Sequence, residues 1–197
     1  MADNKVKFGL EKVHVAFFDE ELGAFEEPQH IPGAVNLALT GEGEPYTFYA
    51  DNIAYYVVNS NNGYSGDLEM ALIPDWFSVE ALGWEIDVNG MIVEVADGKQ
   101  KPFALLYEVK GDQNNKRYIY YNCMSSKPTE EHSTETESRE VNTQTLTINV
   151  TAKEFDNKNV IKGAMELNPA NAKAFNAFFG EVQKPTFAGG GETSCIS

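Results

Sequence analysis

The chain is poor in cysteine, histidine and basic residues, and it has no long apolar run. Two cysteines, Cys123 and Cys195, cannot build a disulfide framework. Cys123 falls inside a predicted strand and Cys195 in a Gly-rich tail, so both are expected as free thiols in a reducing compartment. No stretch approaches the roughly 18 apolar residues of a spanning helix, which argues against an integral membrane protein. Met1 to Lys7 lacks an apolar block after its charges and is not expected to act as a signal peptide. Fifteen basic residues face thirty acidic ones, for a net charge of −15. A surface of that sign repels duplex DNA and anionic membrane, which argues against sequence-specific DNA reading. The same charge keeps an abundant protein soluble before it assembles.

Constellations that carry chemistry are also scarce. His14, His30 and His132 lie far apart, without the close spacing of metal-binding pairs. A dyad of Cys123 with His14 or His132 lacks any surrounding nucleophile motif. Carboxylates are so numerous that a pair at glycosidase-like separation is expected by chance. Asp67 and Glu69 alternate on one strand face, as Ca²⁺ ligands or as a solvated surface; Asp112 to Lys116 lacks the spacing and terminal Glu of an EF-hand loop. Gly41-Glu42-Gly43 and Gly189-Gly190-Gly191 lack the context of phosphate loops. Lys116 to Tyr121 interleaves basic and aromatic residues like a fragment of a single-strand-binding surface, but the net charge favours reading them as hairpin edge residues. No cofactor, metal site or enzymatic activity is expected.

What is present is β structure. A chain of 197 residues, 42% hydrophobic, forms one domain that buries roughly 70% of its unfolded surface. Short alternating runs separated by turn residues mark an antiparallel β-sandwich or partial barrel. Val13–Phe17 opens the series. Ala34 to Thr40 follows, with Val35, Leu37 and Leu39 on one face. Tyr46–Ala50 and Ala54–Val58 are short aromatic strands before a turn cluster at Asn59–Gly63. Ser65 to Ile73 is a strand, and Pro74 to Gly83 a short helix with Pro in its first turn. Asn89-Gly90 marks a hairpin. Phe103–Val109 and Lys116–Cys123 form another, with Ile119, Tyr121 and Cys123 on one face. Residues 127–140 are polar and expected to be mobile. Val141 to Ala152 is a strand with a Thr-rich face, and a turn at Asp156-Asn157 leads to a flanking helix capped by Asn168, with Pro169 first and Phe175, Phe178 and Phe179 docked on the sheet. The domain is expected over 1–184, with a flexible tail over 185–197.

Five segments occur in a specific order: Ile31-Pro32-Gly33-Ala34-Val35-Asn36-Leu37, Phe48-Tyr49-Ala50-Asp51-Asn52-Ile53-Ala54-Tyr55-Tyr56, Asn62-Gly63-Tyr64-Ser65-Gly66-Asp67-Leu68-Glu69, Ala71-Leu72-Ile73-Pro74-Asp75 and Phe103-Ala104-Leu105-Leu106-Tyr107-Glu108. Together they make the chain resemble, from about Lys5 to Val182, the major tail proteins of long-tailed, non-contractile phages of Gram-positive bacteria. No single segment is chemically diagnostic; the order and spacing carry the resemblance. It implies a β-sandwich with a flanking helix, assembled into stacked hexameric rings whose hollow tube forms around a tape-measure protein. It also implies that other tail proteins are partners and that genomic DNA passes through the lumen as non-specific cargo. The protein would be made in the host cytoplasm and reside in the virion tail. Pro185 to Ser197 does not map onto the family.

The residues themselves are compatible with assembly, since a ring pairs strand edges that would otherwise promote aggregation. Phe48, Tyr49, Asp51, Asn52, Tyr55 and Tyr56 are the candidate subunit contact, because Tyr is enriched at interfaces; a buried hairpin is the competing explanation. Asp67, Glu69, Thr143, Thr145 and Thr147 are candidates for a lumen that DNA slides past, and strand parity does not distinguish this from a face toward bulk water. Two alternatives remain: the tube protein of a phage-derived injection or secretion machine, distinguished by its neighbouring genes, and a monomeric β-sandwich binding module.

Overall fold

The computed structural model describes residues 4–50, 52–129 and 142–187. In chain order the elements are β1 (Lys7–Asp19), β2 (Ala24–Phe25), β3 (Gln29–His30), β4 (Ala34–Glu42), β5 (Pro45–Ala50), β6 (Ile53–Asn59), β7 (Gly63–Met70), α1 (Asp75–Leu82), β8 (Glu85–Ile86), β9 (Ile92–Val93), β10 (Phe103–Gly111), β11 (Lys116–Ser125), β12 (Gln144–Val150), β13 (Lys153–Phe155), β14 (Lys158–Val160), β15 (Lys162–Glu166) and α2 (Ala172–Ala177). The architecture is mainly β and antiparallel, as the alternating pattern predicts.

The main sheet runs β2–β1–β10–β11–β12–β7–β4, with β15 also on β11 and β3 also on β1. β3 and β4 are neighbours in sequence, yet β3 pairs with β1 and β4 with β7, near opposite ends of that path. Ile31 to Gly33 makes the crossing: Ile31 N–H bonds Val13 O at 2.8 Å, and Ala71 N–H bonds Gly33 O at 2.7 Å. These bonds draw the sheet ends together into a partial barrel.

Alternation then sorts the side chains. Val13, Val15 and Phe17 of β1, Leu68 and Met70 of β7, and Leu146, Ile148 and Val150 of β12 fill the interior. α1 adds Phe77, Ala81 and Leu82 to this core, entering from Pro74 and stopping at Gly83, whose φ of 72° suits glycine. On the outer side of β1, β10 and β11, a second apolar layer of Ala16, Ala104, Leu106, Ile119 and Tyr121 lies under Phe178 of the segment that follows α2.

Several sequence expectations need correction. Val35 is exposed rather than aligned with Leu37 and Leu39, because a bulge between Ala34 and Asn36 shifts its parity. A second irregularity, between Phe103 and Leu105 in their pairing with β11, puts Cys123 in the main core and Ile119 and Tyr121 in the outer layer. The Lys116–Tyr121 segment is not an edge, since β11 is paired on both sides. Asn59–Gly63 does not reverse the chain; β6 continues through it into β7. α2 begins at Ala172, not Pro169, because the Asn168 side chain accepts from Ala170 and Asn171 N–H groups and closes a turn before the helix. Strands β13 to β15 were not anticipated. Residues 130–140 of the polar segment and most of the C-terminal tail lie outside the described residues.

Candidate assembly surface

The segment from Ala34 to Met70 is one long hairpin whose ladder is interrupted in the middle. Its near half, β4 against β7, belongs to the barrel; its far half, β5 against β6, pairs only with itself. Asn62 N–H to Glu42 O (2.9 Å) and Ser60 Oγ–H to Glu44 O (2.9 Å) carry hydrogen bonding across the interruption. Gly63 marks it: its φ is 108°, and a Cβ there would run into the Val150 carbonyl oxygen of β12. At the tip Asn52 holds a φ of 63°, a conformation Asn tolerates.

This far half is an arm whose described aromatic side chains are not gathered into a core. Phe48 stands opposite Tyr56, while a bulge leaves Tyr55 as an extra residue next to the Tyr49–Ala54 pair. Phe48, Tyr49, Ile53, Tyr55 and Tyr56 are all between 49 and 72% exposed. The competing buried-hairpin explanation therefore fails within this chain. A two-stranded ribbon is marginal in water unless it packs on something. Of the predicted contact residues, Phe48, Tyr49, Asn52, Tyr55 and Tyr56 lie on the arm; Asp51 falls outside the described residues.

The near half contributes a polar face. Thr145 pairs with Glu69 and Thr147 with Asp67, so cross-strand partners on β12 and β7 point outward together. Thr147 Oγ1–H bonds Asp67 Oδ1 at 2.9 Å, Thr143 Oγ1–H bonds Glu69 Oε1 at 2.6 Å, and Ser65 Oγ–H bonds Asn149 Oδ1 at 3.0 Å. β4 extends the face with Asn36, Ala38 and Thr40, in register with Glu69, Asp67 and Ser65. The structure thus unites Asp67, Glu69, Thr143, Thr145 and Thr147, which sequence placed on two separate strands. None of these face residues is basic. The far edge of β4 pairs with no other described strand.

Polar groups elsewhere act in packing. Buried Glu108 accepts from Arg117 Nε (2.7 Å), Lys12 Nζ (2.7 Å) and Asn115 Nδ2 (3.0 Å). Arg117 lies 3.9 Å from the Phe175 ring centre and also donates to Phe175 O, tying α2 to the sheet. His14 stacks on Phe179 and approaches His30 at 4.8 Å between ring centres. A depression of about 940 Å³ is lined in part by Phe18, Val79, Lys101, Pro102 and Met124; the Lys101 ammonium there is held by Glu26 and Glu80.

Sequence reasoning missed a second group of exposed apolar side chains: Leu72, Ile86, Val88 and Met91. Ile86, Val88 and Met91 flank the Asn89-Gly90 turn, so their position was legible, but nothing in the pattern marks that neither neighbouring strand is covered.

The class defined by these features is a mainly β, antiparallel partial barrel with a projecting aromatic arm and a polar, cation-free face. No family model matches the chain, and no curated protein matches it. Among solved structures, it aligns with the tube-terminating cap of the anti-feeding prophage at a TM-score of 0.44 and 10% identity, over 84% of this chain and 97% of that one. It also aligns with the sheath/tube terminator of an extracellular contractile injection system in the extended state, at a TM-score of 0.43 and 12% identity, over 82% and 98% of the two chains. At scores this low neither protein lends this chain a fold or a role.

Proposed function

We propose that the chain is a structural subunit of a phage tail tube, assembling with copies of itself into stacked hexameric rings that form the conduit for genome ejection. The observation that carries this reading is the Ala34–Met70 hairpin, whose near half presents a polar face without cations and whose far half is an uncovered aromatic arm. The hexameric count and the tape-measure partner come from the sequence resemblance.

The two halves of the hairpin have separate physical tasks. Phe48, Tyr49, Asn52, Tyr55 and Tyr56 form a subunit contact, since burying aromatic surface is the main source of association energy. Asp67, Glu69, Thr143, Thr145 and Thr147 line the lumen. A polyanion sliding past carboxylates and hydroxyls meets no cation that would bind phosphate and hold it. The free edge of β4 extends the sheet to a neighbour by strand pairing. The tube grows in the host cytoplasm around a tape-measure protein, joins other tail proteins, and ends in the virion tail.

Negative-stain electron microscopy of the purified full chain at high concentration tests this. Six-fold rings or hollow tubes are the expected result, with or without added tape-measure protein. A strictly monomeric species at millimolar concentration under both conditions overturns the assembly reading in favour of a monomeric binding module.

A further inference from the structure

His14 and His30 lie apart in the sequence, and the fold sets them side by side. They face each other as cross-strand partners on β1 and β3, with ring centres 4.8 Å apart. The Ile31 N–H to Val13 O bond joins the next pair along, so His14 and His30 occupy a non-hydrogen-bonded position. Side chains approach most closely at such positions, where Cα atoms lie ~4.5 Å apart. Two imidazoles that share one ion at ~2.0–2.1 Å, in tetrahedral geometry, hold their ring centres roughly 5 Å apart. The spacing of this pair therefore suits a shared ion.

His14 is also oriented for the task. Its Nδ1 lies 2.8 Å from the Lys12 carbonyl oxygen. A carbonyl only accepts, so Nδ1 carries the proton and Nε2 keeps its lone pair. A ligating histidine commonly gives its other ring N–H to a backbone carbonyl in this way. The His14 ring also stacks on Phe179, with 4.5 Å between centres. A nitrogen lone pair lies in the ring plane, so this contact holds the ring by its face and leaves its edge to a ligand. His30 is exposed. The cations nearby are already paired: Lys12 with Glu108 at 2.7 Å, and Arg117, which lies over Phe179, with the same carboxylate. The net charge of −15 favours the approach of a divalent cation.

We propose that His14 and His30 form a binding site for a late first-row divalent cation such as zinc, held by His14 Nε2 and a ring nitrogen of His30. Imidazole nitrogen suits zinc, copper and nickel, whereas Mg²⁺ and Ca²⁺ take oxygen ligands. Among the described residues no group of three or more His, Cys, Asp or Glu is placed to hold an ion. Water therefore completes the coordination sphere, and the ion exchanges with solvent. This is not the closed, four-ligand type of site that folds a zinc finger. Its place in the fold still gives it an effect. β3 leads directly into Ile31–Gly33, the crossing that closes the barrel, so a shared ion pins that crossing to β1. The site lies within one chain and does not depend on assembly.

Zinc titration of the full chain by calorimetry tests the site at about pH 7.5, where an ordinary imidazole is mostly neutral. A Cys195→Ser background removes a thiol that could itself bind zinc. One ion per chain is expected, with affinity about tenfold or more weaker in His30→Gln and unchanged in His132→Gln. His30 is exposed, so without metal His30→Gln should melt with the parent. Zinc should raise the melting point of the parent but not of His30→Gln, and Mg²⁺ should raise neither. Copper in place of zinc reads the rings directly. Its electron paramagnetic resonance should show coupling to two nitrogens in the parent and to one at most in His30→Gln. Equal zinc binding by the parent and His30→Gln places the ion on the acidic surface and overturns the proposal. Loss of binding in His132→Gln alone overturns it too, as does a parent that binds no zinc.

Discussion

Replacing Glu108 by Gln removes the one charged side chain that is buried among the described residues. The Glu108 side chain is 1% exposed and takes hydrogen bonds from Lys12, Arg117 and Asn115. Arg117, 12% exposed, would lose its carboxylate while still stacked on Phe175. Stranding one member of a buried pair costs about 3–5 kcal/mol. Gln still accepts one bond, and half-exposed Lys12 returns to water at little cost. The net loss expected is therefore about 2–3 kcal/mol, a large share of a total stability of about 5–15 kcal/mol. At about 2–4 °C per kcal/mol for a domain of this size, the melting point should fall by roughly 5–10 °C. Urea unfolding at pH 7, followed through Trp76 and Trp84 fluorescence, measures the loss directly. The pH dependence gives a second check. Burial pushes the Glu108 carboxyl upward, but the bonds from Lys12 and Arg117 outweigh it and hold the group below its ordinary value. A lowered folded-state value means that the stabilisation is full above the unfolded value of about 4.3 and disappears as pH falls through the folded one. The gap between parent and E108Q should therefore close from about pH 5 downward. A variant within about 0.5 kcal/mol of the parent at pH 7, or a gap unchanged down to pH 3, refutes the reasoning.

Tyr56→Asp should raise the concentration needed for assembly by about 10–100-fold, from the roughly 1.5–3 kcal/mol that burial of a large apolar side chain supplies; pelleting assays read this, and an unchanged threshold removes Tyr56 from the contact. Burial lowers the His14 imidazole below its ordinary value, opposed by the Lys12 carbonyl and reinforced by His30 and the Lys12 charge. The unfolded chain then takes up the proton first, so stability should decline as pH falls below about 6.5, and His14→Gln should flatten that slope between pH 7 and 5; an unaltered slope counts against His14. Cys123 is fully buried and burial raises its thiol, so in a Cys195→Ser background a thiol reagent should label it only on unfolding. Prompt labelling in native buffer would contradict that placement.

Local chemistry made some elements legible and left others hidden. Pro74 and Gly83 bracket α1 because backbone restriction acts within a residue or two, and Asn89-Gly90 and Asp156-Asn157 mark turns for the same reason. Bulges are different. An extra residue at Val35, or within the β10–β11 pairing, reverses every later side chain, yet it leaves no mark in a period-2 pattern. Strands β13 to β15 are short and charged, and they exist because β15 pairs with β11 and Phe155, Val160 and Met165 cover its outer layer. In the site, composition alone identified the aromatic stretch and the Thr-rich strand. Their adjacency depends on the β7–β12 register, which is set by tertiary packing.

The break in pairing at Gly43 and Gly63 separates the two halves of the hairpin. An unbroken ladder would continue the polar face of β4 and β7 into the arm. Pairing stops at Glu42 and restarts at Pro45, so the arm is free of the barrel's inside–outside alternation. Aromatic residues can then occupy both arm faces without disturbing the core, and the barrel can keep its polar face free of large apolar groups. Adding a Cβ at either glycine would drive it into a carbonyl oxygen, of Ser60 or of Val150. Two small residues thus hold the chain where the barrel ends and the arm begins. The stability of the monomer and the strength of its contacts are consequently set by separate groups of residues. Damage to the arm should spare the fold, and damage to the Glu108 cluster should weaken the fold before it touches the arm.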